Sequence, residues 1–280
     1  MQLITTKKEL KSYLDSHKKT KTIGFVPTMG ALHMGHMALV KRSVEENDLT
    51  LVSIFVNPTQ FNNKEDLDKY PSTLEADLAL LKGVSERITV FAPSASEIYS
   101  GEITSKTYDF EGLENVMEGE FRKGHFDGVG TIVEKLLRII SPTRAYFGEK
   151  DFQQLQIIKK LVEITNLPIE IIGCPIVREA NGLAMSSRNE RLDTELRQEA
   201  GFIYKTLKAA KQKFGTKSAN FTVDWVKKQF NSHPKLNLEY VKIADVDQLK
   251  PVKRKNRNVK YRAFIAVYAG DVRLIDNIAL

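Results

Sequence analysis

Short apolar segments alternate with helical patterns along residues 1–175, and this alternation limits the possible folds more than any other feature of the sequence. The apolar segments cover residues 22–26, 49–56, 88–92, 144–147 and 169–173, and Pro27 stops the first of them. Short strands that are apolar on both faces are typical of a parallel sheet with helices packed on each side. The sequence therefore predicts a doubly wound α/β domain.

Helical periodicity fills the stretches between these strands, and the pattern changes after Pro175. Predicted helices cover residues 5–18, 33–47, 72–82, 129–140 and 151–165, and Ser72 and Glu75 have the spacing of a capping box. After Pro175, a polar segment at 178–191 precedes a helix to about residue 213, a helix at 221–231, and strands at 238–244, 262–269 and 272–276. We therefore expect one domain at residues 1–175 and a smaller α+β domain at residues 176–280.

Three loops that follow predicted strands contain the candidate functional residues. They are Pro27–His36, Asn57–Phe61 and Gly148–Asp151. Ligands of doubly wound proteins bind beyond the carboxyl ends of the strands. We therefore expect these loops to gather on one rim of the sheet.

The first loop joins a strand to a predicted helix N-terminus that contains two histidines. Free N–H groups and the positive end of the helix dipole favour phosphate there, and Gly35 lets a ligand approach the backbone. His33 and His36 stand three residues apart, so both rings project from one face of the helix. Two solvated or capping histidines would have the same spacing, so this pattern alone leaves both interpretations open.

The other candidates also have simpler interpretations when each is taken alone. Lys150 has the position of a surface lysine paired with a neighbouring carboxylate. Asn57 and Gln60 are common turn formers. Residues 186–188, Ser-Ser-Arg, have the composition of a helix cap followed by a solvated charge. Their joint placement, with imidazoles, amides and cations all expected at one crevice, favours a binding site.

The composition places further bounds on the protein. The sequence is 42% hydrophobic and 28% charged, as in an ordinary globular protein. No apolar run reaches the ~20 residues of a membrane-spanning helix, and the N-terminus lacks the apolar core of a signal peptide, so we expect a cytoplasmic protein. Cys174 is the single cysteine, and its apolar surroundings predict a buried structural thiol.

The net charge of +7 suits an anionic substrate or a nucleic acid. Much of the excess lies in Lys250–Arg262, which lacks the interleaved aromatic residues of RNA-binding segments. We interpret this run as a basic loop between two strands.

Six ordered motifs resemble those of the pantothenate synthetase family, also called pantoate–β-alanine ligases. The motifs extend over most of the chain and have the family's order and spacing. They are P-T-M-G-A-L-H-M-G-H (Pro27–His36), V-N-P-T-Q-F (Val56–Phe61), Y-P-S-T (Tyr70–Thr73), R-K-G-H-F-D-G-V (Arg122–Val129), Y-F-G-E-K-D-F-Q-Q (Tyr146–Gln154) and M-S-S-R-N (Met185–Asn189).

The resemblance implies a Rossmann-like N-terminal domain that binds ATP and pantoate, a smaller C-terminal domain that closes as a lid, and a cytoplasmic homodimer. It implies that (R)-pantoate is adenylated by ATP with Mg²⁺ and that β-alanine then attacks the pantoyl adenylate, which releases AMP and pyrophosphate. Neither a nucleic acid nor a membrane is an expected partner.

The resemblance also assigns roles to individual residues. His36, His33, Lys150 and Arg188 are the expected catalytic residues. The expected pantoate-binding residues are Gln60, Gln154 and Asn57, and Gln60 also lies at the expected β-alanine site. The expected ATP-binding residues are Pro27, Met29, Gly30, Ala31, Leu32, His33, Met34, Gly35, His36, Gly148, Glu149, Lys150, Asp151, Val177, Met185, Ser186, Ser187 and Arg188.

Three positions qualify the resemblance. Ser72 stands where the family usually has arginine, and Met34 stands where it often has glutamate; neither position is assigned to the chemistry. Asp77 matches an acidic residue that the family links to Mg²⁺ and is a weak metal candidate that acts through water, because Ala76 beside it cannot bind a metal.

Two alternative functions are consistent with parts of the sequence. The H-x-G-H turn occurs in other nucleotidylyltransferases, including enzymes that act on phosphorylated small molecules; such an acceptor would require arginines in place of Gln60 and Gln154. A nucleic-acid-binding protein would use Lys250–Arg262, but it would leave the N-terminal residues without a role.

Overall fold

The computed structural model describes residues 1–17, 21–61, 67–68, 70–99, 101–252 and 254–280. The end of the predicted helix at 5–18, several positions between the motifs at 56–61 and 70–73, and one position of the basic run lie outside these residues. The chain forms two compact units. The first contains Met1–Glu114, Glu118–Glu149 and Gln154–Pro175, and the second contains Asn115–Met117, Lys150–Gln153 and Ile176–Leu280.

The first unit is built on a parallel sheet, which confirms the predicted α/β class. Its six described strands have the order β1-β4-β3-β2-β5-β6, and every neighbouring pair is parallel. The strands are β1 (Gln2–Ile4), β2 (Ile23–Thr28), β3 (Leu49–Ile54), β4 (Ile88–Phe91), β5 (Arg144–Gly148) and β6 (Glu170–Cys174). The edge strand β1 was not predicted, because three residues are too few to show a period.

The sequence predicted that Pro27 ends the apolar segment at residues 22–26. This was wrong, because the corresponding strand, β2, continues to Thr28. Strand β2 pairs with β3 as far as Thr28, whereas its other side pairs with β5 only at Gly24 and Phe25. Pro27 therefore lies beyond one of the two ladders, where the missing N–H of a proline is tolerated.

Helices cover the sheet of the first unit. The described α-helices are α1 (Lys7–Asp15), α2 (Met34–Glu46), α3 (Leu74–Val84), α4 (Ala95–Ile98), α5 (Glu118–Phe121), α6 (His125–Ile140) and α7 (Phe152–Ile164), the last of which begins in the second unit. Short 3₁₀ turns occupy Pro58–Gln60, Leu113–Asn115 and Glu149–Asp151. The predicted capping box at Ser72 is wrong: α3 begins at Leu74, and no side chain caps it.

Helix α6 begins one turn earlier than predicted because two of its glycines are packing positions. A Cβ atom on Gly128 would lie 2.3 Å from the carbonyl oxygen of Thr59, and one on Gly130 would lie 3.0 Å from the Tyr108 ring. Gly128 therefore lies within the helix, although the sequence before residue 129 was not predicted to be helical. It allows α6 to lie directly against the Pro58–Gln60 turn.

The strand order brings the candidate loops of the first unit together. Strands β3, β2 and β5 are neighbours, and the direction of the sheet order changes between β2 and β5. The loops that begin at Met29, Phe55 and Glu149 follow these three strands at one rim. This is the topological switch point at which doubly wound folds bind ligands.

The second unit is an α+β structure with an antiparallel sheet of order β7-β8-β9. Its described elements are a 3₁₀ turn (Ser187–Arg191), α8 (Thr194–Glu199), α9 (Gly201–Thr216), α10 (Ala219–Asn231), β7 (Leu236–Asp245), β8 (Tyr261–Ala269) and β9 (Val272–Ala279). Instead of one long helix, α8 and α9 are separated at Ala200. The apolar residues of α9, α10 and one face of the sheet form the core.

Two local predictions are confirmed. The described residues of the basic run lie in the connection between β7 and β8, except for Tyr261 and Arg262, which begin β8. Cys174 is a buried free thiol whose Sγ accepts a bond from Arg42, and burial raises its pKa. In addition, no helix within the described residues has the length and apolarity needed to traverse a membrane.

Candidate active site

Strand β2 leads into a tight turn that ends at the N-cap of α2. Gly30 and Ala31 both have positive φ angles, 84° and 50°, and His33 is the N-cap residue. The Nδ1 atom of His33 accepts the backbone N–H of Gly35 at 3.1 Å, and the Nδ1 atom of His36 accepts that of His33 at 3.3 Å. The two histidines therefore form a reciprocal cap, as the simpler interpretation of the sequence predicted.

This cap fixes the tautomer of both imidazoles. A ring nitrogen that accepts a hydrogen bond has no proton, so the neutral rings of His33 and His36 carry their proton on Nε2. The ring centroids lie 4.1 Å apart with an interplanar angle of 36°. Capping and ligand binding are thus compatible, because Nδ1 serves the helix while Nε2–H is a donor.

The buried carboxylate of Asp77 holds the turn that precedes the histidines. Asp77 is 1% exposed, and its two oxygens accept the N–H groups of Ala31 at 3.0 Å and Leu32 at 2.8 Å. The Thr73 hydroxyl donates to the same carboxylate at 3.2 Å. Glycine suits position 30 for two reasons: its φ angle is positive, and a Cβ atom there would lie only 3.0 Å from Asp77 Oδ2.

The far end of α2 is fixed by a second polar cluster. Asn47 Nδ2 donates to Tyr146 Oη at 2.6 Å, and Tyr146 Oη donates to Glu46 Oε2 at 2.9 Å. Burial, and secondarily the bond to Glu46, raises the pKa of Tyr146 to about 12. Gly24 leaves room for this end of α2 to lie against β2, because a Cβ atom on Gly24 would lie 2.2 Å from Ser43 Oγ. Both ends of the histidine-bearing helix are therefore anchored.

The turn after β3 is organised by Asn57. Its side chain is 1% exposed; Nδ2 donates to the carbonyl of Gly128 at 3.2 Å, and Oδ1 accepts the Tyr99 hydroxyl at 2.6 Å. Asn57 Nδ2 also lies 3.3 Å from Gln60 Oε1. These contacts give Asn57 a positioning role in the turn, whereas the resemblance placed it among the pantoate-binding residues.

The side chain of Gln60 contacts the histidine turn, and its backbone carbonyl is held by Arg122 and by His125 of α6. Its Nε2 atom lies 2.7 Å from Met29 Sδ. Its carbonyl oxygen accepts His125 Nδ1 at 2.9 Å and Arg122 Nη2 at 3.4 Å, and Arg122 Nη1 lies 3.1 Å from His125 Nε2. Arg122 and His125 belong to a motif of the family resemblance to which the sequence alone assigned no role. The structure gives it one.

Two adjacent glutamines at the start of α7 have different surroundings. Gln153 is buried, and its Nε2 donates to the carbonyl of Val116 at 2.7 Å. Gln154 is half-buried, and its side chain makes no hydrogen bond to any residue that the structure describes. Gln154 therefore retains the binding capacity that the motif predicts.

Lys150 belongs to the second unit, although the sequence placed it with the first. Its Nζ atom lies 3.8 Å from Asp151 Oδ2, and its side chain is 19% exposed. Its carbonyl oxygen accepts Asn277 Nδ2 at 2.8 Å. The ion pair expected of a surface lysine is present, but the side chain is largely buried.

The polar segment that contains residues 185–188 is held by hydrogen bonds within the second unit. Arg178 pairs with Ala184 in an isolated bridge, and Met185 N donates to the carbonyl of Val177 at 3.0 Å. Ser186 Oγ accepts the backbone N–H of Arg188 at 3.3 Å and caps the turn that follows. Several charged side chains of the segment also form ion pairs: Arg178 with Asp276, Glu179 and Glu190 with Arg197, and Arg191 with Asp271.

The described residues provide no protein cage for a metal ion. No group of three or more His, Cys, Asp or Glu side chains among them is arranged to bind one. Both oxygens of Asp77 already accept backbone N–H bonds. The metal role that the resemblance gives to Asp77 stays a prediction.

A doubly wound parallel sheet with an anchored, phosphate-favouring helix N-terminus at its switch point defines a Rossmann-like α/β class of protein. The family model described as pantoate-beta-alanine ligase matches residues 2–279, and the chain therefore belongs to this family.

The relatives of this protein match it over nearly the whole chain. The pantothenate synthetase of Christiangramia forsetii is 58% identical over 93% of this chain and 92% of its own length, and that of Flavobacterium psychrophilum is 57% identical over 97% of both. The structure of the Thermus thermophilus enzyme superposes with a TM-score of 0.92 at 38% identity and 99% coverage of each chain. The Francisella tularensis ligase, complexed with beta-gamma ATP and beta-alanine, is 37% identical with a TM-score of 0.80 and covers 100% of this chain and 97% of its own.

Proposed function

We propose that this protein condenses (R)-pantoate with β-alanine at the expense of ATP, through a pantoyl adenylate, and releases AMP and pyrophosphate. One observation supports this more than any other: the neutral amide of Gln60 lies against Met29 of the histidine turn. An acid-binding amide and a phosphate-favouring helix N-terminus thus adjoin each other in the first unit. The relative from Francisella tularensis, with its nucleotide and β-alanine, supports the same chemistry.

ATP binds in this proposal along the turn from Pro27 to His36 and at Gly148–Asp151. Val177 and the turn Met185–Arg188 of the second unit complete the nucleotide site as that unit closes. The Nε2–H groups of His33 and His36, the Lys150 ammonium and the Arg188 guanidinium donate to the phosphates. Loss of protease sensitivity around Arg188 on addition of ATP would support closure, and unchanged sensitivity would contradict it.

Pantoate binds to Gln60 and Gln154, with Asn57 fixing the turn that presents Gln60. Neutral amides can bind the hydroxyls and the carboxylate of the acid without pairing it with a fixed positive charge. The carboxylate therefore stays nucleophilic. Gln60 also borders the proposed site of β-alanine.

In the first half-reaction, a pantoate carboxylate oxygen attacks the α-phosphorus of ATP and the bond to pyrophosphate breaks. Both reactants are anions and no proton moves, so catalysis consists of positioning and charge neutralisation. The donors at the N-terminus of α2 are already oriented by the reciprocal cap, and they need no reorganisation when charge shifts onto the leaving pyrophosphate. One preorganised donor of this kind is worth about 10²–10³-fold in rate.

In the second half-reaction, the neutral amine of β-alanine attacks the acyl carbon, the bond to AMP breaks, and the nitrogen loses a proton to water. The Nδ1 atom of His36 is occupied by the N–H of His33. In the neutral ring Nε2 therefore carries the proton, and we assign His36 the role of donor to the developing oxyanion rather than that of the base.

Mg²⁺ belongs to the proposal as the ion that accompanies the ATP phosphates and neutralises part of their charge. Because the described residues form no cage for it, the phosphates are its proposed main ligands. A homodimer and a cytoplasmic location are proposed from the family resemblance, and neither a nucleic-acid nor a membrane partner is proposed. Light scattering of the purified protein tests the dimer.

The decisive experiment is the pantoate-dependent exchange of pyrophosphate into ATP without β-alanine. We expect exchange with pantoate and none with β-alanine alone. Lys150→Ala and Arg188→Ala should each abolish most of it while the fold stays intact. Absence of exchange in folded wild-type protein with Mg²⁺, or exchange only with a phosphorylated acceptor, would contradict the proposal and favour another nucleotidylyltransferase.

A further inference from the structure

Two consecutive polar residues near the end of β9 are buried within the second unit. Asp276 is 4% exposed and Asn277 is 2% exposed. Successive side chains of a strand point to opposite faces of the sheet. Asp276 lies on the face of Leu274, which belongs to the core of this unit, and Asn277 lies on the other face opposite Phe264. The family resemblance assigned neither residue a role.

Asp276 holds the base of the hairpin formed by residues 177–185, which leads into the Met185–Arg188 turn. Its carboxylate accepts both ends of the Arg178 guanidinium, at 2.6 Å and 2.9 Å. The same guanidinium donates to the carbonyl of Gly182 at 3.1 Å and lies 3.5 Å from the centroid of the Tyr204 ring. A bidentate pair of this kind fixes direction as well as distance.

Asn277 fixes the backbone of Lys150 from the opposite face of the same strand. Its Nδ2 atom donates to the Lys150 carbonyl at 2.8 Å, and its Oδ1 atom accepts a bond from Arg262. The Arg262 guanidinium in turn lies 4.0 Å from the centroid of the Phe152 ring, two residues beyond Lys150. Thus the segment at 150–152 is held by both the side chain of Asn277 and its partner.

The charges in this region are also coupled. Burial raises the pKa of Asp276, and the positive charges of Arg178 and, more weakly, Lys150 oppose that rise. The lysine ammonium is therefore electrostatically linked to the strand that holds its backbone.

We propose that Asp276 and Asn277 are positioning residues that tie Lys150 and the Met185–Arg188 turn to one strand, so that two phosphate-binding cations keep a fixed spacing. This inference rests on the proposed function, in which Lys150 and Arg188 neutralise ATP phosphates. A displacement of about 1 Å in such a group can cost on the order of 10²-fold in rate.

The first test compares Asn277→Asp and Asn277→Ala in pantoate-dependent pyrophosphate exchange. The first variant keeps the acceptor for Arg262 but loses the donor to Lys150; the second loses the donor without adding a charge. We expect both to lower kcat at least 10-fold and to leave the KM for pantoate within twofold. The matched control is Glu239→Gln, which breaks the Glu239–Arg273 pair between β7 and β9 in the same sheet. It should lower the Tm without changing kcat.

A double-mutant cycle separates positioning from general stability. In a Lys150→Ala background, Asn277→Asp should lower the exchange rate less than twofold further, because the group that it positions is gone. A full additional loss would overturn the inference, as would an Asn277→Asp variant that behaves like the Glu239→Gln control. Exchange at the wild-type rate in Lys150→Ala would refute the role of Lys150 and with it the inference, whereas absence of pantoate-dependent exchange in the wild-type protein would refute the proposed function itself.

The same cycle tests Asp276. Asp276→Asn and Arg188→Ala should be non-additive in exchange rate. Arg178→Lys keeps the positive charge but loses the bidentate geometry, so it serves as a second variant if Asp276→Asn fails to fold. Wild-type exchange in a folded Arg178→Lys variant would overturn the role of Asp276.

Discussion

The Nδ1 atom of His36 accepts the backbone N–H of His33 across the first turn of α2. One imidazole nitrogen thus completes the helix cap, while the other retains its proton for a ligand. The same side chain contributes to stability through Nδ1 and to the proposed catalysis through Nε2. Because the two nitrogens have separate tasks, substitutions can remove one task and keep the other.

His36→Asn should abolish catalysis but keep the cap, because an asparagine Oδ1 can accept the N–H of His33 as Nδ1 does, whereas nothing replaces Nε2–H. His36→Ala should lose both. We expect exchange rates about 10²–10³-fold below wild type in both variants, and an additional loss of about 1 kcal/mol of stability in His36→Ala alone. Pyrophosphate exchange and urea unfolding measure the two effects.

The control for this pair is His17→Ala, which removes a histidine that contacts the carbonyl of Tyr13 at the end of α1. Its exchange rate should equal that of wild type. If His36→Asn retained wild-type exchange, the donor role of Nε2 toward the ATP phosphates would be refuted, whatever the effect of the substitution on stability.

Asp77→Asn should slow adenylation without changing the response to Mg²⁺. An amide offers one acceptor oxygen where the carboxylate offers two, and its NH₂ group would face the N–H of Ala31 or Leu32. A buried donor left without an acceptor costs about 1–3 kcal/mol, and the turn before His33 would shift. We expect at least a 10-fold lower exchange rate with the same half-saturating Mg²⁺ concentration.

Asp48→Asn is the matched control, because Asp48 Oδ2 accepts the N–H and hydroxyl of Thr22 at the opposite end of β2. It should leave the exchange rate unchanged. A shift in the Mg²⁺ requirement of Asp77→Asn would instead support the metal role that the family resemblance assigns to this residue.

The sequence predicted the elements of the sheet better than the contacts of the site. Strands such as β4 and β5 were predicted to within a residue of their observed ends, because a continuous apolar run between turn residues specifies a buried strand locally. Edge strand β1 was not predicted, because its pairing with β4 depends on residues far along the chain.

The site residues show the same division between local and distant information. The spacing of His33 and His36, with Gly35 between them, predicted a phosphate-favouring helix N-terminus, and the structure has the helix N-terminus there. By contrast, Asp77 lies 45 residues from its partner Leu32, and His125 lies 65 residues from Gln60. No periodicity links such pairs, so a pattern can name the residues without indicating what they hold.

His125→Ala should weaken pantoate binding because it removes a hydrogen bond to the Gln60 carbonyl. A lost bond of this kind is worth about 0.5–1.5 kcal/mol, so we expect a rise of up to about 10-fold in the KM for pantoate and an unchanged KM for ATP. His125→Asn should restore much of the loss, because its amide N–H can replace Nδ1–H. A KM for pantoate that stayed at the wild-type value in His125→Ala would contradict the assignment.

The buried carboxylate of Glu134 should make stability depend on acid pH. Burial raises its pKa, but hydrogen bonds from Tyr108 at 2.6 Å, Lys106 at 2.9 Å and Arg138 at 2.7 Å outweigh burial and lower the pKa to about 2. A depressed folded-state pKa adds stability above the unfolded-state value of 4.5, and this stability is lost as the pH falls toward 2. Urea unfolding should therefore give Glu134→Gln a free energy of unfolding below that of wild type by on the order of 2–3 kcal/mol at pH 6. This difference in free energy should become smaller by pH 3. Glu45→Gln, at an exposed ion pair, should show no such narrowing, and a pH-independent gap in Glu134→Gln would refute the linkage.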